Sequence, residues 1–200
     1  MRANRALALA SITLSATLAL TACSSNEQLA NQYLSGSNTG FVAGDGTILE
    51  IPAEQRSTAV EFSGVDESGA TLSSSEYLGQ VLVVNFWYAG CAPCRAEAPT
   101  LEQINQGFTP GSAAMIGVNV RDQASTVTSF NEKFGITYPS ILDVDSGSVQ
   151  LAFTGTVPAN AVPTTLVLDQ QGRVAARIVG KLADASILTT IVNDLVAANG

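Results

Sequence analysis

Two long apolar runs dominate the middle of the chain, VLVVNFWY at residues 81–88 and AAMIGVNV at residues 113–120. An apolar run without polar alternation is typical of a strand that is buried on both faces of a sheet. The segments that follow them, residues 92–106 and 123–135, carry apolar residues at helical spacing instead. The pattern therefore predicts strand–helix–strand–helix, with apolar helix faces formed by Ala96, Leu101, Ile104, Val127, Phe130 and Phe134.

Shorter patterned segments surround this central part of the chain. Before it, the sequence predicts a turn and strand at residues 44–52, strands at 59–62 and 70–72, and a helical turn at 73–78. After it, we expect a short strand, a short helix, a two-strand hairpin around the turn QQG and a closing amphipathic helix, at residues 140–143, 146–154, 164–169, 173–180 and 183–199. This order predicts an α/β fold in which helices flank both faces of a mixed central sheet.

The N-terminal residues have the pattern of a signal peptide. Arg2 and Arg5 precede an apolar stretch at residues 6–20, which is shorter than the roughly 20 residues that a membrane span needs. The stretch ends in LTAC, which resembles the lipobox of bacterial lipoproteins and implies cleavage before Cys23 with lipid on its sulfur. The alternative is ordinary secretory cleavage near Ala22, which would leave Cys23 as a free thiol.

Composition limits the possible functions further. The expected division of the chain is a signal peptide, a flexible tether and a folded domain, at residues 1–22, 23–42 and 43–200. The sequence has no histidine, which excludes imidazole-based catalysis and most zinc sites, so neither a metal nor another cofactor is expected. With 9 basic and 17 acidic residues the chain should repel phosphate backbones, so no nucleic-acid partner is expected.

Cys91 and Cys94 form the motif CAPC between the first apolar run and the helix after it. The sulfur of Cys91 is therefore expected at a helix N-terminus, where unpaired N–H groups and the helix dipole favour a thiolate. Cys94 lies one helical turn further on and can close a disulfide, and Pro93 fits the first turn without losing a hydrogen bond. A thiol–disulfide exchange site is the favoured interpretation. A zinc half-site, a purely structural disulfide and two unrelated buried cysteines are the alternatives.

The segment VLVVNFWYAGCAPCRAEAP, together with the later YPSILD and VPTTLVLD, resembles the thioredoxin superfamily. The order of these motifs is similar to the TlpA/ResA-like branch of membrane-anchored thiol–disulfide oxidoreductases, which is related to the AhpC/TSA and redoxin proteins. The similarity covers roughly residues 57–198. It implies a thioredoxin-like fold with an added N-terminal β-hairpin and a mid-domain insertion, here at about Ile141–Ala161.

The resemblance implies roles for individual residues. Cys91 matches the attacking cysteine of the family, and Cys94 matches the resolving one. Pro163 matches a cis-proline that lies against the disulfide, the alternative being a trans-proline that starts a strand. Glu97 matches a buried glutamate whose raised pKa would let it take the proton of the resolving cysteine, the alternative being an exposed surface carboxylate. Because Asn85 stands where thioredoxin buries an aspartate, Glu97 is the expected acid.

A substrate groove is expected around the dithiol, lined by Trp87, Gly90, Ala92, Pro93 and Val162. One of these residues departs from the family pattern, because many relatives carry tryptophan directly before the first cysteine where this chain has Gly90. The glycine exposes the surface beside the first sulfur. This departure therefore bears on the substrate preference and the reduction potential that the resemblance implies, and not on the chemistry.

The resemblance implies an enzyme that acts as a lipid-anchored thiol–disulfide oxidoreductase on the extracytoplasmic side of the cell membrane. Its implied partners are disulfides of exported proteins, such as apocytochrome c during cytochrome c maturation, and a membrane electron donor of the CcdA/DsbD type. The same dithiol working in reverse would insert disulfides into secreted proteins. A lipoprotein binding module with a structural disulfide is the non-enzymatic alternative. A peroxiredoxin is disfavoured, because the chain around Cys91 lacks the P-x-x-x-T-x-x-C pattern.

Overall fold

The computed structural model describes residues 48–156 and 161–198. The predicted signal peptide, the predicted lipidation site Cys23 and the tether all lie outside these ranges and stay predictions. Within the described ranges, no helix combines the length and the apolar character that crossing a membrane requires.

The described residues form eight strands and four α-helices, most of them within one or two residues of the predicted positions. The strands β1 to β8 are Ile48–Glu50, Ser63–Val65, Thr71–Ser73, Val81–Trp87, Ala113–Asn119, Ser140–Leu142, Thr164–Leu168 and Val174–Val179. The helices α1 to α4 are Ala92–Gln106, Ala124–Phe134, Ser148–Ala152 and Ala185–Ala197. Two short 3₁₀ helices also occur, at Ala53–Gln55 and Ser74–Tyr77.

Six of these strands form one mixed sheet in the order β1–β8–β7–β4–β5–β6. The β4–β5 and β5–β6 pairs are parallel, whereas the other three pairs are antiparallel. Because β4 lies between β5 and β7, Asn85 is paired with Gly117 on one side and with Thr165 on the other. The chain passes from the carboxyl end of β4 directly into the CAPC segment, so this end of the sheet positions the dithiol.

The side chains of β4 alternate between two apolar layers, because successive strand residues point to opposite faces. Val81 and Val83 pack in the layer that contains Leu101 of α1 and Leu188 of α4. The opposite layer contains Phe62, Leu82, Val84, Phe86, Ile116, Ile141, Val149 and Phe153. Val149 belongs to α3, so helices cover both faces of the sheet, as the apolar pattern predicts.

The strands β2 and β3 form a separate antiparallel hairpin, which is the N-terminal hairpin that the resemblance implies. Asp66 holds its turn by accepting hydrogen bonds from the backbone N–H groups of Ser68 and Ala70. Asp66 also forms an isolated bridge with Ile141, which attaches the hairpin to the β6 edge of the main sheet. The expected insertion begins there and contributes part of β6 and α3, while its residues 157–160 lie outside the described ranges.

The predicted strand at residues 59–62 is wrong. The hairpin strand β2 begins later, at Ser63. The backbone N–H of Val60 donates instead to the carbonyl of Gly172, and that of Phe62 donates to the Ser74 hydroxyl. These irregular contacts use the hydrogen-bonding groups that a strand ladder would need.

The prediction that Ala96 lies on the apolar face of α1 is also wrong, because Ala96 is exposed. Cys94, Ala98 and Leu101 define the buried face of this helix. A residue two positions after Cys94 is rotated by about 200° and therefore points away from that face. The other helix predictions are closer: Val127 and Phe130 are buried, Phe134 is half-buried, and Gly135 ends α2 in a left-handed conformation.

Candidate active site

The turn between β4 and α1 presents Cys91 as the N-cap residue of the helix. The backbone N–H of Cys91 donates to the carbonyl of Tyr88 at 3.1 Å. The N–H of Ala89 donates to Oδ2 of Asp122 at 2.6 Å, which ties the turn to the end of β5. The backbone before the motif is thus fixed at two points, so the first sulfur has a defined position at the start of the helix.

Cys91 and Cys94 are joined by a disulfide, with their Cα atoms 5.3 Å apart. The Cys91 sulfur accepts a hydrogen bond from the backbone N–H of Cys94 at 3.1 Å. Both residues are buried, with 3% and 2% of their surface exposed, so exposure does not distinguish them. The two cysteines differ in their position on the helix. Only the Cys91 sulfur occupies the N-cap site, where the helix N-terminus stabilises a thiolate.

The peptide bond between Val162 and Pro163 is cis, as the resemblance implies. The carbonyl oxygen of Val162 lies 3.9 Å from the Cys91 sulfur. In the disulfide this is a non-bonded contact, because the sulfur carries no proton there; a Cys91 thiol could donate to the same oxygen. The backbone just before β7 therefore borders the first sulfur of the dithiol.

Glu97 lies on α1 one turn after Cys94 and is only 2% exposed. Its Oε1 accepts a hydrogen bond from Asn85 Nδ2 at 3.2 Å, and its Oε2 accepts one from the backbone N–H of Leu182 at 2.9 Å. Burial raises the pKa of Glu97 to about 7, although these two donors and the positive charge of Lys181 lower it. Glu97 is therefore a buried carboxyl, as the resemblance implies, and not an exposed surface carboxylate. Such a group can accept or release a proton near neutral pH.

The predicted groove residues separate into two groups. Gly90, Ala92 and Pro93 are exposed and Val162 is half-buried, so these four can line a surface groove. Trp87 is only 4% exposed, with its ring centroid 4.3 Å from that of Phe130. The expectation that Trp87 lines the groove is therefore corrected: it packs beneath the dithiol in a cluster that also contains both cysteines.

A hydrogen-bond network behind the dithiol escaped the sequence analysis. Trp87 Nε1 donates to the hydroxyl of Ser140 at 3.2 Å. The backbone N–H of Ser140 donates to Oε2 of Glu67, and Asn131 Nδ2 donates to Oε1 of the same carboxylate at 2.8 Å. One available signal was the position of Asn131, a polar residue four positions after Val127 on the apolar face of α2.

The donor set gives no indication of a metal. Among the residues that the structure describes, no cluster of three or more histidine, cysteine, aspartate or glutamate side chains could hold an ion. The two cysteines are bonded to each other, and Glu97 is held by nitrogen donors, so the arrangement fits two-electron thiol chemistry.

Comparison with known proteins gives a consistent family. The AhpC/TSA family matches residues 56–177. The thiol-disulfide oxidoreductase ResA of Geobacillus kaustophilus is 29% identical over 131 residues, which cover 66% of this chain and 72% of that protein. The thiol:disulfide interchange protein HelX of Rhodobacter capsulatus is 33% identical over 60% of this chain and 62% of its own length.

Solved structures agree with the sequence matches. A secreted thiol-disulfide isomerase from Corynebacterium glutamicum superimposes with a TM-score of 0.70 and 31% identity. The superposition covers 79% of this chain and 97% of that one. The family match spans more than half of the 200 residues and includes Cys91, Cys94, Glu97 and Pro163. The chain thus belongs to the AhpC/TSA family of thioredoxin-like proteins and is a thiol–disulfide oxidoreductase.

Proposed function

We propose that this protein is a membrane-anchored, extracytoplasmic oxidoreductase that reduces disulfides in exported proteins. The observation that carries the proposal is the Cys91 sulfur at the N-terminus of α1, bonded to Cys94 and facing the backbone beside the cis-proline Pro163. This arrangement supplies a thiolate, a partner sulfur one turn away and an adjacent backbone on which a client chain can dock.

The reaction begins with the reduced pair. The Cys91 thiolate attacks one sulfur of a client disulfide, and the other client sulfur leaves as a thiolate that takes up a proton. Cys94, once deprotonated, attacks the Cys91 sulfur of the mixed disulfide and releases the second client sulfur as a thiol. Two electrons pass from the pair to the client, whose two thiols take one proton from solvent and one that Cys94 gives up. Cys91 and Cys94 end as the disulfide that the structure contains.

Glu97 is the proposed acceptor of the Cys94 proton in the second step. It shares a helix face with Cys94, and its pKa of about 7 gives it a substantial ionised fraction at neutral pH. A thiol in an apolar cluster needs such a base, because burial disfavours its thiolate. Replacing Glu97 with glutamine should therefore slow resolution and change the pH dependence of that step.

The proposed direction of electron flow is towards the client. The similarity to proteins named ResA and HelX supports this direction. Within the TlpA/ResA-like branch, the implied client is apocytochrome c, whose haem-site cysteines must be reduced before haem attachment. A membrane donor of the CcdA/DsbD type would then re-reduce the pair after each turnover.

The proposed location is the outer side of the cell membrane, with Cys23 as the lipid attachment site. The lipobox-like LTAC sequence supports the anchor, and similarity to a secreted thiol-disulfide isomerase supports an extracytoplasmic site of action. A Cys23→Ser variant should move the protein from the membrane fraction to the soluble extracytoplasmic fraction, whereas Cys91→Ser should not. Equal membrane retention of both variants would contradict lipidation at Cys23.

The test of direction is the reduction potential of Cys91–Cys94, followed in thiol redox buffers. Trp87 is the only tryptophan of the sequence and packs against both cysteines, so its fluorescence reports the redox state. A value near that of thioredoxin, about −270 mV, is expected for a reductant. A value near about −120 mV would overturn the reductive function.

A potential near about −120 mV would favour the second candidate, a disulfide-forming oxidant for secreted proteins. The similarity to the secreted thiol-disulfide isomerase is the observation that supports this second candidate. Capture of clients then identifies the substrates in either case: a Cys94→Ser variant should accumulate mixed disulfides through Cys91, and the matched Cys91→Ser variant should accumulate none. Equal yields from both variants would contradict the order of attack.

A further inference from the structure

The amide oxygen of Asn131 is a buried acceptor that has no hydrogen-bond donor among the described residues. Asn131 lies on α2, between Phe130 and the C-terminal turn of the helix, and its amide nitrogen does have a partner. Buried carbonyl oxygens are nearly always paired, since desolvation without a hydrogen bond is unfavourable. The donor that completes this acceptor must therefore come from the cavity that the oxygen faces, as a neighbouring side chain or as a water molecule.

The orientation of this amide is fixed by Glu67. The Asn131 nitrogen donates to Oε1 of Glu67 at 2.8 Å. Rotating the amide by 180° would bring two acceptor oxygens together, so the nitrogen must face the carboxylate. The oxygen consequently points away from Glu67.

Asn131 and Cys94 line the same small cavity, together with Asn85 and Tyr138. Its volume is about 10 Å³, close to the space that one water molecule requires. Most of the remaining wall is apolar, so few donors are available there. In the disulfide, Cys94 has no proton to offer, but reduction places one on its sulfur.

We propose that Asn131 Oδ1 accepts a hydrogen bond from the Cys94 thiol whenever the disulfide is reduced, directly or through one water molecule, and that Glu67 is the residue that positions the amide for this role. Reduction of the disulfide to a Cys91 thiolate and a Cys94 thiol adds two electrons and one proton, and this bond stabilises that proton on Cys94. The reduced pair is therefore asymmetric: the helix N-terminus favours a thiolate at Cys91, while Asn131 favours a thiol at Cys94.

The inference depends on Cys94 cycling between thiol and disulfide, and not on the client or the direction proposed above. The titratable groups nearest Cys94 are Cys91 and Glu97 on α1 and Tyr138, which lines the same cavity; Glu67 acts on the cavity through Asn131. Burial raises the pKa of Tyr138, so its hydroxyl stays neutral in the relevant pH range. Glu97, with a pKa of about 7, must be included in fitting any Cys94 titration.

The first experiment is an Asn131→Leu substitution, in which the side chain keeps its branched shape but loses the acceptor. The equilibrium constant for reduction by glutathione should fall about fivefold, as expected for one lost hydrogen bond, which is about 20 mV for a two-electron couple. Asn193→Leu, on the exposed face of α4, is the matched control and should leave the constant unchanged.

The second experiment is Glu67→Gln, which keeps the packing. It is expected to turn the Asn131 amide, so that an NH₂ donor replaces the oxygen acceptor facing the cavity. The Ser140 N–H requires an oxygen at the position of Oε2, so the glutamine nitrogen must face Asn131. Asn131 then flips and presents its NH₂ group to the Cys94 sulfur, which stabilises a thiolate. The pKa of Cys94, read from its ¹³Cβ shift in the reduced protein, should fall by about one pH unit.

The two variants together separate a specific role from a structural one. Asn131→Leu leaves Glu67 with one partner fewer and should be the less stable variant, yet Glu67→Gln should change the Cys94 pKa more. The proposal is overturned if both folded variants retain the wild-type reduction constant and Cys94 titration, or if the size of the pKa change simply follows the loss of stability. The absolute wild-type potential tests direction separately, so the two proposals can fail independently.

Discussion

Glu97 and Asp169 are buried carboxyl groups near opposite ends of β7, and their surroundings drive their pKa values in opposite directions. Their exposed fractions are 2% and 1%, so both lose nearly the same access to water. Burial raises the pKa of Glu97 to about 7. Burial acts in the same sense on Asp169, but hydrogen bonds from Arg173 and Arg56 outweigh it and lower the pKa below the ordinary value.

The opposite pKa shifts come from the donors that contact each carboxyl group. Asp169 Oδ2 contacts the guanidinium groups of Arg56 at 3.1 Å and Arg173 at 2.8 Å. Glu97 receives two neutral donors, the Asn85 amide and the Leu182 N–H, and feels Lys181 only through its charge. Two carboxyl groups with nearly equal exposed fractions thus differ in role: the arginines hold Asp169 as a charged structural group, whereas Glu97 can exchange a proton near neutral pH, and only Glu97 lies on the helix of the dithiol.

The largest expected effect comes from removing the charge that the two arginines share. Asp169→Asn leaves Arg56 and Arg173 without a carboxylate, and we expect a loss of about 4 kcal/mol in the free energy of unfolding. Urea denaturation measures this, with the exposed Asp145→Asn as the matched control. Disulfide exchange by the folded fraction should be unchanged. A stability loss no larger than that of the control would remove the structural role of Asp169.

Next in size is the pH dependence of stability that Glu97 contributes. Its folded pKa of about 7 lies above the ordinary value of 4.5, so the folded protein binds the proton more tightly. Stability should therefore fall as the pH rises from about 5 to 8, by about 3 kcal/mol, and level off above that range. Glu97→Gln should abolish this slope, whereas Glu132→Gln, on the exposed surface of α2, should retain it.

The contribution of Asp169 to the pH dependence of the free energy of unfolding has the opposite sign. Its pKa is lowered, so its contribution is complete above its ordinary value of 3.8 and is lost as the pH falls through the folded value. Denaturation curves collected at several pH values should therefore show an acidic limb due to Asp169 and a separate neutral limb due to Glu97. If Asp169→Asn and Glu97→Gln changed the same part of the pH profile, the two groups would not be independent.

A smaller change should follow from converting the neutral donor of Glu97 into an acceptor. In Asn85→Asp, the hydrogen bond to Oε1 is replaced by a second carboxyl group, so we expect the upper pKa of the pair to exceed that of wild-type Glu97 by at least about one unit, or about 1.4 kcal/mol. Carboxyl ¹³C shifts measure this. Asn193→Asp is the exposed control, and a lower pKa in Asn85→Asp would contradict the donor role.

The smallest expected effect is that of the distant charge. Lys181 is exposed and lowers the pKa of Glu97 without a direct contact. Lys181→Gln should raise that pKa by about 0.3 units at low salt, and the difference should disappear at high salt because exposed charges are screened. Lys133→Gln, on α2, serves as the control. A shift that persists at high salt would indicate a contact rather than a through-space interaction.

Local sequence was sufficient for the parts of the site that depend on one segment. The spacing of Cys91, Pro93 and Cys94 after an apolar strand predicts their places at the start of the helix. Helical periodicity places Glu97 on the face of Cys94, but its burial was predicted only from the family resemblance. Pro163 needed the family resemblance, because nothing around a single proline distinguishes cis from trans. The error at Ala96 arose from phasing the α1 face on Leu101 and Ile104 without the cysteines.

The remaining partners could not be predicted, because they join residues far apart in the sequence. Leu182 supplies its N–H to Glu97 across 85 positions, and Glu67 reaches Asn131 across 64. Such pairs depend on how a turn and a helix meet after folding, which neither periodicity nor local propensity encodes. The irregular segment before β2 was misassigned for a related reason. Val60 binds Gly172, which is far away in the sequence, and Phe62 binds Ser74, which belongs to the following 3₁₀ helix.

The pairing of β1 with β8 also constrains the order in which this molecule can be assembled. Ile48 lies opposite Ile178, so the first strand among the described residues is paired with the last one. A ribosome makes β1 long before its partner exists, and the edge of the sheet can close only once almost the whole chain has been synthesised. Until then β1 is an unpaired strand, and the growing chain depends on remaining unfolded or protected over that interval.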